Sequence, residues 1–235
     1  MANRVQLNNI DHAALEVNRG WGAELGDAVM ACPVFPSEFR QVQSSYPIVL
    51  SRIGEEPFYR PFALFGLQQG ENLFLDEEGW DALYVPLYMR MQPFLIGLPQ
   101  GGTDQMEVHI DLDHPRVTRD GGERVFLEQG GQTPFLSEIA GLLGDVHEAE
   151  QQVAPFSDML EEMGLIEPFT LDVELRSGET GRLAGYSTIA EERLTALSAE
   201  ELGRLQGRGY LQPLFMMVAS MNQLGSLVAR KDRAA

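Results

Sequence analysis

The sequence predicts an α+β protein with a mainly antiparallel sheet in its N-terminal half. Short apolar runs separated by Gly and Pro fill that half, whereas a three- and four-residue apolar period follows from Thr133 onward. Strand and helix signals do not alternate regularly, as they would in a parallel sheet. The chain has 235 residues, which is enough for one substantial core. We therefore expect residues 1–235 to form a single domain.

Five segments of the N-terminal half are predicted to be strands, because each is a short apolar run bounded by turn-forming residues. They are residues 48–51, 61–67, 72–75, 94–98 and 106–112. Residues 82–91 are expected to form a short helix with Pro86 in its first turn. The acidic residues 76–79 are expected to form a turn.

A long helix is predicted from Thr133 and Pro134 to Met163, with Gly164 at its end. Pro155 should kink this helix or divide it in two, because proline has no amide hydrogen and its ring clashes with the preceding turn. Residues 169–189 alternate apolar and polar side chains around a Ser-Gly turn, which indicates a hairpin.

Two helices are predicted at the C-terminus. The first begins at a capping box formed by Ser198 and Glu201. The second carries an apolar stripe, for which a packed core is favoured over a partner-binding face. The residues of the stripe are Leu211, Leu214, Phe215, Val218, Met221 and Leu224.

The charge of the chain restricts its partners. It has 35 acidic and 17 basic residues, for a net charge of -18. Such a surface repels phosphate backbones and anionic lipids, so we expect neither nucleic acid nor membrane partners. The single lysine, Lys231, lies in the C-terminal tail, which argues against a Schiff-base, pyridoxal-phosphate or Walker A site. The basic tail is expected to complement a helix dipole.

Cysteine content and apolar run length indicate a cytoplasmic protein. The single cysteine, Cys32, lies in an apolar run and is expected to be a buried thiol. The N-terminus has no long apolar segment typical of a secretory signal. No apolar run approaches the ~20 residues of a membrane helix, so no membrane insertion is expected.

One strand carries residues suited to chemistry. In MEVHIDLDHPRV, residues 106–117, His109, Asp111 and Asp113 alternate and therefore share one face. His-x-Asp is half of the facial triad of non-haem iron oxygenases, and His147 is a candidate third ligand. The alternative is an amphipathic strand with its polar face in water, for which no cofactor is expected. Nucleophile-elbow, zincin, Rossmann and Walker A motifs are absent, so no catalytic residue is assigned.

Several blocks of the chain, in the same order, resemble the bacterial SapC family. They include IDLDHPRV and GLIEPFTLDVEL and together span residues 37–52, 61–97, 110–117, 164–175 and 183–224. The family is named for its association with a bacterial surface array, the S-layer. Many similar proteins are encoded beside TonB-dependent receptors, flavin-dependent tryptophan halogenases and cupin-like proteins.

This resemblance implies an accessory or binding role in a bacterial uptake or surface-layer system, without an established reaction. A protein partner encoded nearby is expected, and the chain is also a candidate homo-oligomer. The alternative function is that of a metal-dependent, oxygenase-like enzyme, which would use iron held by His109, Asp111 and His147.

Overall fold

The computed structural model describes residues 3–97 and 106–234. Helices and antiparallel sheets both occur, which confirms the α+β prediction. The chain divides into two compact units. Unit 1 comprises the described residues within 1–28, 75–80 and 87–148, and unit 2 comprises the described residues within 29–74, 81–86 and 149–235. A single domain over residues 1–235 stays a prediction.

The strands and the helices are each numbered in chain order. The strands are β1 (Arg4–Gln6), β2 (Glu16–Val17), β3 (Ala31–Pro33), β4 (Ile48–Ser51), β5 (Arg60–Leu64), β6 (Leu75–Asp76), β7 (Gly79–Trp80), β8 (Phe94–Gly97), β9 (Glu107–Asp111), β10 (Val117–Thr118), β11 (Glu123–Arg124), β12 (Ile166–Glu174) and β13 (Thr180–Ile189). The helices are α1 (Phe39–Val42), α2 (Leu87–Arg90), α3 (Pro134–Glu150), α4 (Val153–Glu162), α5 (Glu191–Thr195), α6 (Ala199–Gly207), α7 (Leu211–Ser220) and α8 (Gln223–Ala234).

Unit 1 is built from small antiparallel sheets. One has the order β1-β9-β8 and a second has the order β10-β2-β11, while β6 and β7 form a hairpin around the predicted acidic turn. Phe94 and Ile110 face each other across β8 and β9 and are fully buried. The ring of Phe94 also meets that of Phe135 edge-on at 5.8 Å, so β8 and α3 share an apolar core.

Unit 2 contains a five-stranded antiparallel sheet of order β12-β13-β4-β5-β3. Two aromatic clusters form its core: Tyr46 contacts Phe65 and Phe74, and Phe156 contacts Phe39 and Tyr210. All these contacts are edge-to-face, the arrangement that the ring quadrupole favours. Burying these large rings removes apolar area from water and so stabilises the core of unit 2.

Strand prediction succeeded best where the apolar run is fully buried. Residues 48–51 form β4 as expected, and β5, β8 and β9 overlap their predicted segments, with Leu98 lying outside the described residues. The prediction for residues 72–75 was wrong at residues 72–74. The Oδ1 atom of Asn72 accepts a hydrogen bond from the amide of Phe74 at 3.0 Å, which makes a turn rather than a strand.

The predicted long helix is divided, as Pro155 indicated. Helix α3 ends at Glu150 and α4 begins at Val153, with Pro155 in its first turn. Pro155 has no amide hydrogen to donate to the carbonyl of Gln151. The helix that contains Pro155 therefore starts after Gln151. Gly164 has a φ of 65° and ends the segment, which confirms its predicted role.

The C-terminal half confirms the hairpin and the capping box. Strands β12 and β13 pair antiparallel. Ser198 Oγ accepts from the amide of Glu201 at 3.2 Å, and Glu201 Oε2 accepts from the amide of Ser198 at 2.8 Å. The hydrogen bond from the Ser198 amide, together with the ion pair to Arg193, lowers the pKa of Glu201 to about 2.

The apolar stripe near the C-terminus was only partly correct. It is divided between α7 and α8, and Phe215 is 51% exposed. Leu214 is buried as predicted, but the other two buried apolar residues of this helix face are Tyr210 and Met217, which lie four residues before it and three residues after it. Because residues all around this helix are apolar, the sequence pattern did not show which face is buried.

The basic tail lies in helix α8, where Lys231 and Arg233 occupy the last turn as the dipole argument requires. Lys231 also pairs with Glu71 at 2.6 Å, and Arg230 pairs with Asp81 at 2.7 Å. Cys32 is buried, and this burial, with the nearby Glu38 carboxylate, raises the pKa of its thiol. Within residues 3–97 and 106–234, no helix combines the length and apolar character needed to cross a membrane.

Candidate functional site

The strand singled out by its His and Asp residues is β9, the central strand of its sheet. His109 lies opposite Gln6 and Leu95, and Asp111 lies opposite Arg4. The two side chains share one face with Glu107, as the period of two requires. The Nε2 atom of His109 is 3.5 Å from Glu107 Oε2, and the imidazole is about one-quarter exposed.

A glycine makes room for His109. A Cβ atom placed on Gly97 would lie 2.1 Å from the imidazole ring. The ring therefore packs directly over the backbone of β8, which only glycine permits without displacing it. Gly97 therefore leaves the space that the imidazole occupies on this face of the sheet.

Asp111 uses its carboxylate to end the strand. Its Oδ1 atom accepts hydrogen bonds from the amides of Asn3 and Asp113, both at 3.1 Å. The first bond extends the pairing of β1 with β9, and the second closes the turn after β9. Asp111 therefore has a structural role at the end of β9.

His147 lies in α3, on a different element from the His-x-Asp pair. Across the described ranges, no three His, Cys, Asp or Glu residues are grouped so that they could hold a metal ion. The structure does not bring His109, Asp111 and His147 together in such a group. The iron site therefore stays a prediction from sequence.

A cleft of about 590 Å³ lies elsewhere in unit 1, between residues 10–15 and 112–119. This volume falls within the ~300–1,000 Å³ typical of small-molecule sites. Apolar side chains mix with a few polar groups around it. The lining residues are Ile10, Asp11, His12, Ala13, Ala14, Leu15, Leu112, Val117, Thr118 and Arg119.

His12 is the most buried polar residue of this lining, at 8% exposure. Its Nδ1 atom accepts a hydrogen bond from the amide of Asn8 at 3.1 Å. A neutral imidazole that accepts at Nδ1 carries its proton on Nε2, so His12 can donate one hydrogen bond from that atom. Asn8 in turn accepts from the amides of Ile10 and Asp11, which fixes the loop.

Sequence reasoning missed His12 because no periodic pattern surrounds it. The residue follows Asn8 by four positions in the segment NNIDH, and Asn and Asp side chains commonly close turns by binding nearby amides. The Asn and Asp residues of this segment therefore indicate a fixed loop, but they do not indicate that His12 is buried.

A buried ion pair lies just after β9. Arg116 and Asp27 are 3% and 2% exposed, and Nη2 of the guanidinium is 2.8 Å from both carboxylate oxygens. The guanidinium stacks over Trp21 at 4.6 Å, and Trp21 meets Trp80 edge-on. Sequence reasoning grouped Arg116 only with the strand and assigned it no role.

The same ion pair affects its neighbour His114, whose Nδ1 atom accepts from the amide of Arg116 at 3.2 Å. Partial burial, and then the positive charge of Arg116, lower the pKa of His114. His114 is therefore held neutral over a wider pH range than an exposed histidine.

A sequence model of the SapC family matches residues 7–227, which is nearly the whole chain. No curated protein and no solved structure shows a significant match.

Proposed function

The chain belongs to the SapC family, and on this premise we propose that it is an accessory binding protein of a bacterial uptake or surface-layer system. The observation that carries the proposal is the cleft of about 590 Å³ with the buried His12 in its wall. We further propose that the protein works in the cytoplasm with a protein partner encoded nearby.

The lining of the cleft suits a small ligand with an apolar body. Leu112 and Val117, both half-buried, supply apolar surface, and burying this surface favours association. His12 and Thr118 supply a small number of polar groups, which fix orientation in sites of this type. The Nε2–H group of a neutral His12 calls for a hydrogen-bond acceptor on the ligand.

Mass spectrometry of gently purified protein tests the ligand proposal. The chain, purified from its source organism, should release a small molecule on denaturation. Ala13→Trp fills the cleft from an exposed lining position and should abolish that release. The matched control is Ala140→Trp, an exposed position of α3 outside the lining, which should retain the molecule. Equal retention by both variants would exclude this cleft.

The partner proposal needs its own experiment. We expect a stable complex when the purified chain is mixed with the cytoplasmic protein encoded beside it, for which the family resemblance suggests a tryptophan halogenase. Size-exclusion chromatography with light scattering measures its stoichiometry. Separate elution of the two proteins would contradict the partner proposal.

Cell fractionation distinguishes the surface-layer form of the proposal. A surface-layer component predicts protein in the cell-envelope fraction and ordered self-assembly. Protein found only in the cytosolic fraction would eliminate that form and leave the uptake role.

A further inference from the structure

A second cavity of unit 1 is lined by an excess of positive charge. It has a volume of about 160 Å³, and Arg19, Arg90 and Arg116 line it together with a single carboxylate, that of Glu138. The whole chain carries a net charge of -18, so three arginines around one small cavity run against the overall composition. Arg19 and Arg116 are already paired with carboxylates, so among the described residues the charge left to attract an anion is that of Arg90.

Arg116 supplies the most specific feature of the cavity. Its Nη1 atom donates to the carbonyl oxygens of Asn18 and Gly20, and its Nη2 atom donates to Asp27. The remaining donor, Nε–H, is buried and has no hydrogen-bond partner among the described residues. Buried donors are nearly always satisfied in folded proteins, because an unmet donor costs free energy. Because Arg116 is one of the residues that line the cavity, an acceptor bound there is the candidate partner for this donor.

The other two arginines differ in how they are engaged. Arg19 pairs with Glu123 at 3.0 Å and with Glu138 at 3.1 Å, and it lies over the ring of Phe135. Arg90, in contrast, is exposed and contributes its positive charge to the lining. The aromatic rings of Trp21 and Phe135 complete the wall. The wall that a planar anionic group would meet therefore consists of guanidinium groups and aromatic rings.

We propose that this cavity binds the carboxylate of a small organic monoanion, with Arg116 Nε–H and Arg90 as its donors. Guanidinium groups match carboxylate geometry. The nearby carboxylates of Asp27 and Glu138 repel added negative charge, which favours a monoanion over phosphate. The proposal goes beyond the His12 cleft: the two linings share no residue, so either site can fail without the other.

Tryptophan fluorescence reports on this cavity directly. The chain has two tryptophans, and Trp21 lines the cavity while its ring lies 5.3 Å from that of Trp80. Sodium acetate is titrated at constant ionic strength against sodium chloride. The expected result is a saturable change in emission, with sodium phosphate binding more weakly than acetate.

Two variants with the same change of charge locate the site. Arg90→Gln removes a cavity arginine and should weaken acetate binding by about tenfold, as expected for loss of one charged hydrogen bond. Arg40→Gln removes an exposed arginine from unit 2 and should leave binding unchanged. Nitrogen-15 spectra of the arginine Nε–H groups should show the proton of Arg116 moving downfield as acetate binds.

Three results would overturn the proposal. The first is an emission change that never saturates or is absent. The second is equal acetate affinity in Arg90→Gln and Arg40→Gln, or an Arg116 Nε–H signal that does not move at saturation. The third is tighter binding of phosphate than of acetate, which would refute the monoanion assignment.

Discussion

The Nη2 atom of Arg116 lies 2.8 Å from both carboxylate oxygens of Asp27, and both side chains are almost completely buried. Asp27 also accepts from the amide of Gly22 at 2.9 Å. The pair thus ties residues 22–27 to the segment that follows β9. Removing water from two charges is costly, so the pair requires the further hydrogen bonds that the backbone supplies here.

Asp27→Asn should strongly destabilise the protein. The change leaves the Arg116 guanidinium buried without its counter-charge, which typically costs ~3–5 kcal/mol. Urea denaturation, followed by circular dichroism, measures the free energy of unfolding. Glu128→Gln is the control, because it breaks the exposed ion pair of Glu128 with Arg124 and should cost only about 0–1 kcal/mol. Similar costs for the two variants would contradict the structural role of the pair.

Ser198→Ala should lower the free energy of unfolding by about 1 kcal/mol, because it removes the oxygen that caps the amide of Glu201. The exposed Ser37, which precedes Glu38 in a short turn of 3-10 helix, offers a matched Ser→Ala control with an expected change near zero. Thermal or urea unfolding compares the two. If Ser198→Ala were as stable as the wild type, α6 would not depend on its capping box.

His114 should make stability depend on pH in a predictable direction. Its folded-state pKa is lowered by partial burial and by Arg116, so the unfolded chain binds a proton more readily than the folded one. The free energy of unfolding should therefore fall as the pH drops through about 6.5, the ordinary histidine pKa. His114→Asn keeps an acceptor for the Arg116 amide and should flatten this dependence. An unchanged slope between wild type and variant would show that His114 does not contribute.

The metal hypothesis makes a separate prediction. If His109, Asp111 and His147 bind iron, protein purified without a metal-affinity tag should contain it at about one ion per chain. Inductively coupled plasma mass spectrometry measures this, and His109→Ala should abolish it while His12→Ala should not. A wild-type protein without stoichiometric iron, manganese or zinc, and without a rise in Tm when these ions are added, would eliminate the hypothesis.

Local features of the fold were predictable because neighbouring residues determine them. Pro155 divides the helical segment through its own missing amide, and Ser198 caps α6 through atoms three residues away. Features that depend on contacts between distant parts of the chain were not predicted correctly. Phe215 looked like a core residue, but the helix buries the face of Leu214 and Met217 instead.

The candidate sites were harder to predict for the same reason. His109 and Asp111 were placed on one strand face correctly, because a period of two is local. The partner of Arg116, in contrast, lies 89 residues away in sequence at Asp27, and no spacing rule links them. The cleft that His12 lines is formed by residues 10–15 and 112–119, which are distant in sequence, so no local pattern indicates it.

Nitrogen-15 spectra of the histidine rings test the central claim, a ligand in the His12 cleft, most directly. The protein, labelled at histidine, is titrated with the small-molecule fraction of its source organism. The account predicts that the ring nitrogens of His12 shift while those of His147 do not, and that Ala13→Trp abolishes the shift. Ring signals of His12 that stay fixed, or that shift equally in Ala13→Trp, would contradict it.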